Sequence, residues 1–127
     1  MTILDSDVVI DLSRGVSVAT EWLRRLGAEV VAIPVYVSLE LISGTRSVRE
    51  QRTIVKELSR FRTIWPSAQA CQAAIGKFAR YHHSSAIGIL DVLIAHTSMA
   101  LNLPLHTFNQ KHFDVIPGLR TIRPCKR

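Results

Sequence analysis

The sequence is short of cysteine, of acidic residues and of long apolar runs, and each shortage removes a class of protein. Its 127 residues include two cysteines, Cys71 and Cys125, with no cysteine or histidine at metal-ligand spacing beside them. That excludes a disulfide-stapled scaffold and a zinc site, and the two thiols read as a reduced core residue and a tail residue. The most apolar stretch, Val30 to Leu39, is interrupted by Pro34 and stops at Glu40, well short of the roughly 18 apolar residues of a membrane span. The opening Met-Thr-Ile-Leu-Asp shows no basic region followed by an apolar one, so a cytoplasmic protein without a membrane partner is expected. Aromatic residues make up 6% of the chain, too few and too scattered for a base-stacking platform. Trp22 and Trp65 therefore read as core or subunit contacts.

What is present is apolar and basic. Hydrophobic residues make up 47% of the 127, enough for one core and too little chain for a second, so a single domain over residues 1–127 is expected. Sixteen Lys and Arg against ten Asp and Glu leave a formal charge of +6. Such a surface attracts polyanions, and nucleic acid is the expected one because no lipidation signal accompanies the charge.

The apolar pattern alternates between strand-like and helix-like segments. Thr2 to Leu4 reads as a strand, followed by a short helix through Leu12 capped by Ser6 or Asp7. Ala19, Trp22, Leu23 and Leu26 recur at helical spacing between Ser17 and Gly27, which describes a capped amphipathic helix. Glu29 to Ile33 reads as a buried strand, and Pro34 to Ser43 as a helix with proline first and Gly44 just past its end. Ser47 to Phe61 places Ile54, Val55, Leu58 and Phe61 on one face and Arg49, Arg52, Lys56 and Arg60 on another. Beyond it come a strand at Thr63 to Trp65, helices at Ser67 to Tyr81 and Gly88 to Asn102, and strands at Leu103 to Thr107 and Leu119 to Ile122. Alternating strands and helices imply an α/β fold whose site lies at the carboxyl ends of a largely parallel sheet.

Against this background a few acids are out of place. Glu40 is the sole charged residue between Glu29 and Arg46, and Asp91 the sole Asp, Glu, Lys or Arg between Arg80 and Lys111. A carboxylate buried without a partner costs several kcal/mol, so these residues should be neutralised, paired or bound to a cation. Asp5 follows the first strand, where the crevice of an open α/β sheet lies. Were Asp5, Glu40 and Asp91 to converge, like charges would raise at least one pKa and a divalent cation would relieve the repulsion. An all-oxygen donor set favours Mg²⁺ or Mn²⁺ over zinc. The plainer alternative for each acid is a helix cap or an arginine partner. Asp7 is either a cap or a further ligand, and Asp11, one turn on, is expected to face solvent.

The order of these residues is similar to a known family. Leu4-Asp5-Ser6-Asp7-Val8-Val9-Ile10-Asp11 resembles the opening of PIN-domain toxins of the VapC type. Val37 to Gly44 resembles that family's helix bearing the second acid, Asp91 to His96 the helix bearing the third, and Leu105 to Phe113 with Ile116 to Leu119 its final strand, loop and tail. The resemblance implies a PIN-like fold with a mostly parallel sheet of four to five strands and helices on both faces. It also implies an RNA-cleaving endonuclease, a homodimer, and an antitoxin whose C-terminal segment covers the acidic cleft. Carried over by position, Asp5, Glu40 and Asp91 are the acids, and Asn109 takes a fourth site where many relatives have Asp. His112 stands where many relatives carry another acid.

The chemistry expected is metal-dependent hydrolysis of a phosphodiester, with Asp5, Asp91, Glu40, Asn109 and Asp7 as candidate ligands of Mg²⁺ or Mn²⁺. Ser6 and Thr107 are candidates to hydrogen-bond those carboxylates. Arg49, Arg52, Lys56 and Arg60 are candidates for RNA phosphates, as are Arg120, Arg123, Lys126 and Arg127 near the end of the sequence. Two alternatives stand beside this. Asp5-Ser6-Asp7 after an apolar strand also fits a haloacid-dehalogenase-like phosphatase, and Asn109 in place of an acid fits a non-catalytic PIN-like module that binds RNA.

Overall fold

The computed structural model describes residues 1–127. Its elements follow in the order β1 (Thr2–Leu4), α1 (Ser6–Ser13), α2 (Ser17–Leu26), β2 (Val31–Pro34), α3 (Val35–Ser43), α4 (Val48–Leu58), β3 (Arg62–Ile64), α5 (Ala68–Tyr81), α6 (Ile89–Ala100), β4 (Leu105–His106), α7 (Gln110–Phe113) and β5 (Thr121–Ile122). The five strands form one parallel sheet in the order β3-β2-β1-β4-β5. From β1 the chain first builds outward through β2 and β3, then returns to the other side of β1 to lay down β4 and β5. Right-handed crossovers running in opposite directions put helices on both faces. The reversal opens a crevice at the carboxyl ends of β1 and β4, where open α/β sheets place their sites.

The core explains the apolar pattern. Ile3 and Leu4 of β1, Ile33 of β2 and Leu105 of β4 are fully buried, and Val8, Val37, Val92 and Ile94 pack on them from α1, α3 and α6. Each such side chain contributes about 1.5–3 kcal/mol by leaving water. Trp22 joins this core, whereas Trp65 stands 74% exposed just past β3.

Several boundaries differ from those expected, for identifiable reasons. Pro34 ends β2 in register with Ile64 and has an extended ψ of 144°, so α3 begins at Val35. Strand β4 begins only at Leu105, since Pro104 before it has no N–H to donate to a ladder. The basic helix is shorter than its pattern. The Ser47 hydroxyl caps it by accepting from the Glu50 N–H at 3.1 Å, and it closes at Leu58, which leaves Arg60 and Phe61 in the following turn.

Candidate functional site

Register brings the first two site residues together. Leu4 pairs with His106 across β1 and β4, so the next residue on each strand, Asp5 and Thr107, emerges side by side at the carboxyl edge. The Asp5 N–H donates to the His106 carbonyl at 2.9 Å and closes the ladder. Its side chain then turns over the start of α1, where Oδ1 accepts from the Ser6 N–H at 2.8 Å. Asp5 is 4% exposed and Thr107 fully buried.

Thr107 ties two carboxylates together. Its Oγ1 lies 2.9 Å from Asp5 Oδ2 and 3.2 Å from Asp7 Oδ2, and it accepts from the Asn109 N–H at 3.0 Å. A hydroxyl has one proton to give, so it can donate to only one of the two acids at a time. Asp7 also accepts from the Phe108 N–H at 3.0 Å. Burial, followed by the charge of Asp7, pushes the pKa of Asp5 up to about 7; the bonds from Ser6 and Thr107 oppose this, and the charge of Asp91 adds to it. Burial also raises Asp7, against the pull of its bonds to Phe108 and Thr107 and of the Arg127 charge.

Asp91 sits in the first turn of α6, half-buried. Its Oδ2 lies 2.9 Å from His112 Nε2 and 3.4 Å from the Gly88 N–H. The two atoms stand at hydrogen-bond distance, and the carboxylate oxygen accepts when the ring nitrogen carries a proton. Asn109 is exposed and precedes α7. Glu40 is half-buried on α3. No three of the Asp, Glu, His and Cys side chains stand close enough together to hold a metal ion. Asp5, Asp7, Thr107 and Asn109 thus form one connected group, and Asp91 lies within electrostatic reach of it. Ser6 contributes its backbone N–H. Arg49, Arg52 and Lys56 are exposed on α4, and Arg60 is exposed beyond it.

Two residues have roles that the sequence reading missed. Asp11 does not face solvent: it is 7% exposed and accepts both Nε and Nη2 of Arg127 at 3.1 Å. Its spacing of four residues from Asp7 was the available signal, since it puts both acids on one face of α1. Arg127 is consequently committed to a carboxylate and to the ring of Phe108, rather than free for phosphate.

A parallel sheet of this order with acids at its central carboxyl edge is the arrangement of a PIN domain, and the PIN domain family model matches residues 2–119. The chain belongs to that family. Ribonuclease VapC10 of Mycobacterium tuberculosis is 36% identical over 125 residues, spanning 94% of this chain and 91% of that protein. Ribonuclease VapC19 of the same organism is 33% identical over 125 residues, spanning 94% and 98%. Among solved structures, VapBC2 from Rickettsia felis, bound to a DNA fragment from its promoter, superposes with a TM-score of 0.77. It is 26% identical and spans 95% of this chain and 96% of that one. Within the PIN domains, these likenesses join the chain to the VapC ribonucleases. With the family shown, the phosphatase reading is set aside.

Proposed function

We propose that this protein is a Mg²⁺- or Mn²⁺-dependent endoribonuclease, the toxin of a toxin–antitoxin pair, and that it acts in the cytoplasm. The observation that carries the reading is the buried Asp5 beside Asp7. Two carboxylates share one hydroxyl donor there, with the pKa of Asp5 pushed up to about 7. Such a pair is short of positive charge and offers only oxygen, which fits a hard divalent cation. Asp5, Asp7 and Asp91, with Asn109 and Glu40, are the residues to hold it, and side chains among them would have to close up to do so, since no three of these acids stand near enough together in the structure. When bound, the cation supplies an acidified water and a counter-charge for the phosphate.

The remaining work falls to the chain itself. Thr107 fixes the orientation of Asp5 and Asp7, the Phe108 N–H holds the second oxygen of Asp7, and His112 holds Asp91. The exposed cations at Arg49, Arg52, Lys56 and Arg60 draw the RNA backbone in, at a cost in salt sensitivity. Support for an antitoxin partner comes from neighbours solved as VapBC complexes. A homodimer is the assembly proposed, following the family resemblance.

The test is cleavage of total cellular RNA by the intact protein, with Mn²⁺ and with EDTA, beside Asp5→Asn. Cleavage confined to the intact protein with metal is the expected result. Binding of RNA that survives EDTA, with no cleavage under any condition, would favour the non-catalytic alternative.

A further inference from the structure

The loop Thr107 to Asn109 contributes three groups to the acidic site, yet it follows a strand of only two residues, Leu105–His106. Such a short strand is a weak anchor, so something else must hold the loop against α1. Phe108, at its centre, is approached by two cations: the Arg127 guanidinium is 4.2 Å from the ring centroid and that of Arg123 is 5.6 Å away. Arg127 reaches on to α1, where its Nε and Nη2 donate to the two oxygens of Asp11 at 3.1 Å. Asp11 is 7% exposed while the Arg127 side chain is 46% exposed, so a guanidinium at the surface reaches a buried carboxylate in a two-point contact that is geometrically demanding. On the same helix, Asp7 accepts the N–H of Phe108 at 3.0 Å. One residue near the end of the sequence thus grips α1 at Asp11 and covers the ring of Phe108, whose amide binds Asp7 one turn earlier.

We infer that Arg127 is a positioning residue, and that its pairing with Asp11 clamps the Phe108 loop onto α1 so that Asp7 and Asn109 are held in place for the site. The role as a clamp is a matter of geometry; its value to the site rests on the metal-dependent reading above. The charge of Arg127 also opposes the rise in the pKa of Asp7, as expected of a cation held beside it. Lysine cannot substitute, because a single ammonium offers neither the paired N–H groups nor a flat face for the ring.

The test is the double variant Asp11→Asn with Arg127→Gln, which removes the pair without changing net charge or leaving one partner buried alone. Two quantities are measured on it: amide hydrogen exchange, and calorimetric titration with Mn²⁺. Exchange at Phe108 and Asn109 is expected to accelerate about tenfold or more while Ile3 and Ala32 in the sheet hold their rates. Mn²⁺ affinity is expected to fall by about fivefold or more, toward the range seen when groups supporting metal ligands are removed. Phe108→Leu, which keeps the ion pair and loses the ring, should give a smaller change in the same direction. Unchanged exchange at Phe108 and Asn109 overturns the clamp, and so does equal acceleration throughout the sheet, which marks a general loss of stability. Local acceleration with unaltered Mn²⁺ affinity overturns the positioning role. Should the intact protein take up no Mn²⁺, the proposed function falls, and the exchange at Phe108 decides the clamp by itself.

Discussion

The Thr107 hydroxyl meets the Asp5 carboxylate at 2.9 Å, in a buried contact between residues 102 positions apart. Because that hydroxyl also stands 3.2 Å from Asp7 and accepts from Asn109, it is the hinge of the acidic group. Thr107→Val keeps the shape and removes the oxygen. The variant is expected to lose about 1–3 kcal/mol of stability, from the groups left without a partner. Its Mn²⁺ affinity is expected to drop about 10- to 100-fold. Urea unfolding and calorimetry check the two effects separately, and a variant that binds Mn²⁺ as the intact protein does would remove Thr107 from the account.

The raised pKa of Asp5 has a consequence for stability. Its folded value of about 7 lies above the ordinary 3.8, so the group stabilises the metal-free protein at low pH. That contribution fades as pH rises from about 4 through about 7, by about 4 kcal/mol. Asp5→Asn removes this dependence. In EDTA at about pH 8 the variant should unfold at higher denaturant than the intact protein, although it cleaves no RNA. Mn²⁺ should narrow the difference by stabilising the intact protein alone. Identical pH profiles for the two proteins would show that burial imposes no such penalty.

Much of this arrangement was legible before the fold was known. Asp5 at the end of a short apolar strand and Asp91 isolated in an apolar helix stand out because charge is rare in such surroundings. The strand and helix order followed from period alone. What stayed hidden was tertiary. Asp11 reads as a surface acid because its partner, Arg127, lies 116 residues away, and no periodicity reports such a distance. The end of α4 was overrun for a related reason: Phe61 keeps the apolar spacing of the helix although the chain has already turned toward β3. Nor does sequence order set the distance of Glu40 from the other acids, which depends on how α3 lies against the sheet.

His112 offers a separate handle on Asp91, which it contacts at 2.9 Å. His112→Ala should lower the cleavage rate about 10- to 100-fold through a loosened carboxylate. Because the histidine side chain is only 25% exposed and is a partner of Asp91, thermal unfolding is expected to show a loss of about 1 kcal/mol as well, which His112→Gln should reduce. His112→Gln, which retains a donor, should recover part of the rate. Equal rates for all three proteins would make this contact incidental.

The basic face can be tested without catalysis. Replacing Arg49, Arg52, Lys56 and Arg60 with glutamine should weaken the binding of single-stranded RNA in EDTA. The slope of log affinity against log salt should flatten by about 3 if all four meet phosphates. An unchanged slope would return these residues to the status of a solvated surface.

The central claim is that the carboxylates at the edge of β1 and α6 hold a divalent cation, and diffraction at the manganese edge from crystals soaked in Mn²⁺ tests it most directly. The expected result is an anomalous peak in contact with the carboxylates of Asp5 and Asp91, lost in Asp5→Asn. An empty map between those side chains, together with RNA cleavage that persists in EDTA, would contradict it.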